Sequence, residues 1–268
     1  VLALSLSAAA AAMPDSLSKP IYVAPQETIP APQDIAYPGT MTLQVDARDH
    51  DQGIFRVTQT IPVAGPGRLT MLYPEWLPGN HAPRGEIEKL TGLAFTANGQ
   101  KLPWVRDDVD VFAFHLTVPE NVSAITAKFQ FVSATTSSQG RIVMAPSMLN
   151  LRWHQVSLYP AGYYVRQIPV EATAIYPDGW QAASALRPKS TTGNTIVYEK
   201  TDYDTLVDSP VFAGQYFQSL QLTSRAHLNI VADDAKFLKP EKDQIALHSK
   251  LVKEAEALFG SHPYDRYD

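Results

Sequence analysis

The sequence has no cysteine. Disulfides, thiolate zinc sites, iron–sulfur clusters and cysteine nucleophiles are all excluded, and a metal would have to be held by the seven histidines and the carboxylates. There is no excess of positive charge: the formal net charge is −5, without a Lys/Arg cluster to bind phosphate. Nucleic acid and anionic membrane are therefore not expected partners. Long apolar runs are missing too. The longest, Val1 to Ala12, is too short to cross a bilayer. The common catalytic signatures are also absent: no G-x-S-x-G, no P-loop, no G-x-G-x-x-G after a strand, and no histidine followed by glutamate, hence no H-E-x-x-H.

What is present starts with that apolar run. It ends in small residues ahead of Met13-Pro14-Asp15 and reads as the core and cleavage region of a secretory signal. We assign residues 1–18 as a signal-peptide remnant and expect a periplasmic or secreted protein of bacterial type. Residues 19–39 form a proline-rich extended leader, because proline fixes φ and cannot donate to a ladder. With 45% hydrophobic and 18% charged residues, the 268-residue chain can fold and bury a core.

From Thr40 the pattern is β. Thr42–Ala47 alternates apolar and polar residues, Arg48–Gly53 breaks it, and Ile54–Ile61 resumes it, which predicts a hairpin. Segments 68–73, 92–97, 109–118, 124–133, 151–158, 163–175, 194–198, 212–222 and 226–231 continue in the same manner. Many short strands without intervening helical patterns predict a mainly β, sandwich-like domain over residues 40–235. Near Pro240 the period changes. Ile245, His248, Leu251, Val252, Ala255, Leu258 and Phe259 share one face of an amphipathic helix over 241–259, with Gly260 placed as its C-cap. Residues 236–268 are expected to begin a second, catalytic domain.

Chemistry-bearing residues are scattered. Asp46, Asp49 and Asp51 before Gly53 lack the spacing of a calcium loop and suit a solvated hairpin turn. No two histidines have the i, i+4 spacing of a helical metal site, and His115 and His154 fall inside expected strands. Three punctuated segments stand out: Tyr73–Arg84, Tyr203–Gly214 and Phe259–Tyr267. Taken singly, each is explained by turn chemistry.

In order, however, Pro74-x-Trp76-x-Pro78-Gly79 with the basic Arg84, then Leu206-x-Asp208-Ser209-Pro210 with Gly214, then Phe259-Gly260 with Pro263-Tyr264 and Tyr267, resemble the N-terminal part of glycyl aminopeptidase-type zinc metallopeptidases. The resemblance implies a signal peptide, an N-terminal β domain, a thermolysin-like catalytic domain and a PDZ domain. In that family the H-E-x-x-H helix and its downstream glutamate follow the third motif. No zinc ligand or general base of the family has a matching position here, so no catalytic and no metal-binding residue is assigned. Zinc is expected in the full-length enzyme only, and this chain alone is expected to be inactive. The resemblance implies that 73–84 and 203–214 wall a substrate pocket that takes peptides with a small N-terminal residue (Gly or Ala). Trp76 would be an aromatic wall, Arg84 a cation pairing with a carboxylate, and Asp208 a buried capping or amine-facing acid. The expected partners are the remaining catalytic and PDZ portion of the same polypeptide and a peptide substrate. A stand-alone periplasmic β-sandwich binding module for a peptide or glycan is the alternative, and a structural or chaperone-like β domain a third reading.

Overall fold

The computed structural model describes residues 28–268. The signal-peptide assignment and most of the leader lie outside the described residues. The remainder of the leader, 28–39, has no regular strand or helix beyond an isolated bridge at Gln33, but it is tied to the domain. Gln33 donates its backbone N–H to Gly162 O at 3.1 Å, and Tyr37 is buried with its hydroxyl on Pro62 O at 2.6 Å. Tyr37 also packs edge-on against Tyr163 at 5.1 Å. An aromatic of that size buries enough surface to hold a proline-rich segment that has no ladder of its own.

The first regular strand is Met41–Asp46, one residue ahead of the expected start. It pairs antiparallel with Ile54–Pro62 (Val45 opposite Val57), so the predicted hairpin forms, and Gly53 takes the left-handed conformation at φ 68°. The main sheet has nine strands. Eight run in the order Pro188–Thr192, Thr195–Tyr198, Pro169–Ile175, Met41–Asp46, Ile54–Pro62, Ala124–Val132, Leu90–Ala97 and Gln100–Leu102, while Thr201–Asp202 pairs beside Pro169–Ile175. Alternation decides its faces: Met41, Leu43 and Val45 point inward with Phe55, Val57 and Ile61 and with Ile125, Ala127, Phe129 and Phe131.

A second sheet, made of Tyr159–Pro160, Gly67–Leu72, Ala113–Val118 and Trp104–Arg106, supplies Met71, Phe114, Leu116 and Val118 to the same core. A small third sheet, Met148–Leu151, Val211–Gly214 and Gln181–Ala183, adds Leu149, Leu151, Val211 and Ala213 to that core. The architecture is the expected mainly β, sandwich-like one.

Several expected strands are shorter or split. Segment 109–118 is a strand only from Ala113, because Asp107 accepts the backbone N–H groups of Val109 and Asp110 and holds 107–110 as a turn. Segment 151–158 becomes the strand Met148–Leu151 followed by a 3-10 turn Trp153–Gln155. Segment 212–222 divides at Gln215 into Val211–Gly214 and Tyr216–Gln221, the latter pairing with His227–Ala232.

Two α-helices occur among the described residues. The short α1, Tyr203–Val207, was not expected; Asp202 caps it by accepting Thr205 N at 2.9 Å. Helix α2, Lys242–Phe259, matches the predicted one, with a Glu241/Gln244 capping box and Gly260 left-handed at φ 64°. Of its apolar residues, Leu247, Leu251, Leu258 and Phe259 are exposed, while Ile245, Val252 and Ala255 are half-buried. Among the described residues no helix is long and apolar enough to cross a membrane.

Candidate functional site

The site is built from one end of the second sheet. Strand Gly67–Leu72 delivers Tyr73 into the core, where its hydroxyl donates to Gln155 O at 3.3 Å. Burial, with the nearby Glu86 carboxylate, raises the phenol well above its ordinary value, so it stays a donor. The chain then turns outward as a closed loop. Trp76–Leu77 pairs with Ala82–Pro83 across the turn Pro78–Asn80, His81 is left-handed at φ 49°, and Gly85 N donates to Glu75 O at 2.9 Å. Leu77 anchors the loop in the core and leaves Trp76 facing solvent at 61% exposure. Gly85 is required by contact: a Cβ there would overlap Pro74 O and press on the Phe112 ring.

Helix α1 brings the second motif to the same place. A Cβ on Gly79 would stand 4.0 Å from Asp208 Oδ1, so residues some 130 apart in sequence meet at this end. The join is locked from beneath by Trp153, which is fully buried and donates Nε1 to Ser209 O at 2.9 Å; Ser184 Oγ donates to the same carbonyl at 3.2 Å. Ser157 Oγ donates to Trp153 O at 2.7 Å and meets Tyr203 OH at 2.8 Å.

The predicted residues fall as follows. Trp76 and Arg84 are exposed, and Arg84 has no carboxylate partner among the described residues. Asp208 is exposed, not buried, and does not cap by its side chain; its backbone N–H closes α1 on Asp204 O, and the helix is capped by Asp202. A residue that ends a surface helix of five residues has no reason to be buried. The third motif runs beside the Tyr216–Ala232 hairpin: Tyr267 N donates to Arg225 O and His227 N to Tyr267 O, both at 2.9 Å.

Sequence reasoning missed a polar group beside this join. Glu86 accepts Lys89 Nζ on one oxygen and Gln155 Nε2 at 2.6 Å on the other. Gln155 is fully buried and its Oε1 has no partner among the described residues; the same is true of His154 Nε2 on the same turn. Burial, then the charge of Arg152, pushes the His154 imidazole down to about 3, so it is neutral. Arg152 is half-buried and makes no hydrogen bond or ion pair among the described residues; desolvation and the nearby Arg141 lower its proton affinity. The only sequence signal for this group is R-W-H-Q, where four hydrogen-bonding or aromatic side chains follow a strand without a break. Next to it lies a cavity of about 460 Å³ lined by Arg141–Ala145, Met148–Asn150 and Phe212.

A second constellation has the bonding order of a relay: Thr70 Oγ1 to His115 Nδ1 at 2.9 Å, and His115 Nε2 to Asp107 Oδ2 at 2.8 Å. Thr70 is only 2% exposed, so no substrate reaches its hydroxyl. Asp107, held far below the usual carboxylate range by the Asp110 N–H, Thr28, His115 and the Val109 N–H, fastens the turn after Trp104–Arg106. This group is a structural pin. No three His, Asp or Glu side chains among the described residues converge to hold a metal, so the residues present do not fit a zinc ion.

The geometry can be set beside known proteins. The Peptidase M61 N-terminal domain family matches residues 42–215, a span that holds both sandwich sheets, the small sheet and both joined motifs. An aminopeptidase N family protein from Idiomarina loihiensis superimposes with a TM-score of 0.69 at 17% identity, over 85% of this chain and 38% of that one. An M1 zinc metallopeptidase from Deinococcus radiodurans is more distant, with a TM-score of 0.45 and 13% identity over 88% and 56% of the two chains. No curated protein matches the sequence. The first likeness shows a shared fold, and this chain spans little more than a third of that structure. On its sequence match over most of the β domain, the chain belongs to the peptidase M61 family, whose N-terminal domain it contains.

Proposed function

We propose that this chain is the N-terminal scaffold and pocket-wall domain of an exported zinc aminopeptidase of the glycyl aminopeptidase type. The zinc is held by a thermolysin-like catalytic portion of the same polypeptide, which also carries a PDZ domain. Small N-terminal residues, Gly or Ala, are released from peptides. The observation that carries this reading is the meeting of the Trp76 loop with Asp208 at one end of the domain, within the family match. Trp76, on the loop itself, is 61% exposed, and Phe212, on the strand that follows Asp208, is 51% exposed. Large apolar side chains left exposed on both joined segments favour a surface that another body or a substrate covers. Arg84 and Asp208 are exposed on the same two segments and would meet a substrate carboxylate or amine, while Trp76 would offer a flat wall.

The test is made on the full-length polypeptide. It should bind zinc and hydrolyse glycyl and alanyl amides, with loss of both on chelation. Trp76→Ala should lower kcat/KM about tenfold, mainly through KM, as removal of a binding wall does. Absence of zinc and of peptidase activity in the full-length protein would end this reading.

A further inference from the structure

The cluster around Arg152 has more positive charge than its own chain neutralises. Strand Met148–Leu151 alternates, with Leu149 and Leu151 in the core. Met148 and Asn150 take the other face, and Arg152 is next in that alternation. Phe212 lies directly opposite Asn150 on the neighbouring strand. Glu86 is the carboxylate that acts on Arg152, yet its two oxygens already accept Lys89 and Gln155. Arg141 adds a second guanidinium close enough to depress the first. With Lys89 balanced by Glu86, Arg152 keeps only a through-space attraction to that carboxylate, and Arg141 is exposed without an ion pair among the described residues. A half-buried guanidinium without an acceptor is costly, and a planar fork of this kind matches a carboxylate.

We infer that Arg152 and Arg141, with the groove beside Asn150, form a subsite for the free α-carboxylate of a short peptide whose last residue is apolar. The inference rests on the peptidase reading and deepens it. The groove chooses the occupant. Its lining is apolar apart from Arg141 and Asn150, with Ile142, Met148 and Phe212 as walls. A peptide's last residue presents such an arrangement, a carboxylate on the same carbon as an apolar side chain and an amide for Asn150. An acidic side chain would place its charge at the end of a stem and leave the apolar walls uncovered. The volume of about 460 Å³ is within the range of small-ligand sites and holds a residue or two, not a long chain.

The experiment compares Gly-Ala-Leu with a free carboxylate and the same peptide as its C-terminal amide, on the full-length protein. The free acid should be preferred by about tenfold or more in kcat/KM, expressed in KM, as expected for a charge-assisted bidentate pair. Arg152→Gln should bring the acid-to-amide ratio to about one, and Arg141→Gln should reduce it. Equal handling of acid and amide by the native enzyme overturns the inference. So does a ratio untouched by Arg152→Gln, or a loss by the same factor for both peptides, which would mean that Arg152 pairs with an acid of the rest of the polypeptide. Should Arg152→Gln not fold, Arg152→Lys keeps the charge without the fork. A reduced preference then supports the subsite and an undiminished one counts against it. If neither peptide is cleaved, the peptidase reading fails on its own. Calorimetry of N-acetyl-leucine against N-acetyl-leucinamide then decides the subsite: tighter binding of the acid keeps it, equal binding removes it.

Discussion

Gln59 stands on the central strand at a position where its neighbours are Val57 and Ile61, and it is fully buried. It earns that place by clasping one peptide unit: Nε2 donates to Leu158 O at 2.6 Å and Oε1 accepts Leu158 N at 2.9 Å. The core thereby grips the segment that carries the Trp153–Gln155 turn. Gln59→Leu leaves both backbone groups buried and unpaired and should destabilise the domain by about 3 kcal/mol, seen as a lower denaturant midpoint. His154 gives a pH effect of definite sign. The unfolded chain takes up a proton near pH 6.5, the folded one only near 3, so acid favours unfolding. The stability from this group is complete above about pH 6.5 and is lost progressively as pH falls toward 3. Between pH 7 and 5 the native protein should lose about 2 kcal/mol more than His154→Leu, measured by urea unfolding at both pH values.

At the scale of elements, the site depends on a loop that cannot shift. Gly85→Ala forces a Cβ against the Pro74 carbonyl and should cost about 1–3 kcal/mol, read as a fall in melting temperature. What could be read from the sequence follows the same division. Strands with clean alternation, such as Thr42–Val45 and Ile125–Phe131, and helix α2 with its period and C-cap glycine, are legible because the signal is local. Helix α1 is not, since five residues show less than two turns of period and its cap is one Asp202–Thr205 pair. The Trp153–Gln155 turn follows a strand with apolar neighbours, so it reads as more strand. It turns because Trp153 is claimed by Ser209, 56 residues on. The join of Trp76 and Asp208 loops was suggested by resemblance; their positions in the chain alone do not show it. The Glu86, Arg152 and Gln155 group leaves only the R-W-H-Q run as a trace in the sequence, because Glu86 joins it from a distant segment.

For the molecule as a whole, helix α2 is the open question that the domain poses. Leu251, Leu258 and Phe259 on it are exposed, and exposed patches of that kind drive association. The purified 268-residue chain should associate with rising concentration in sedimentation velocity, and the pair Leu251→Glu with Leu258→Glu should return it to monomer. Monomeric behaviour of the native chain at high concentration would show that the stripe needs no partner.

The parallel pairing of Met41–Asp46 with Pro169–Ile175 has a consequence for how the chain is made. The first strand finds its hairpin partner at once, but its other neighbour is encoded roughly 130 residues later. At a ribosomal rate of roughly 5–20 residues per second, that edge stays open for on the order of ten seconds. An unpaired edge in the middle of a future sheet is a template for wrong pairing, and such distant contacts fold slowly. The nascent chain short of Ile175 is thus the form of this sequence most exposed to aggregation. Any fragment cut before that strand would keep its core open however well the hairpin had formed.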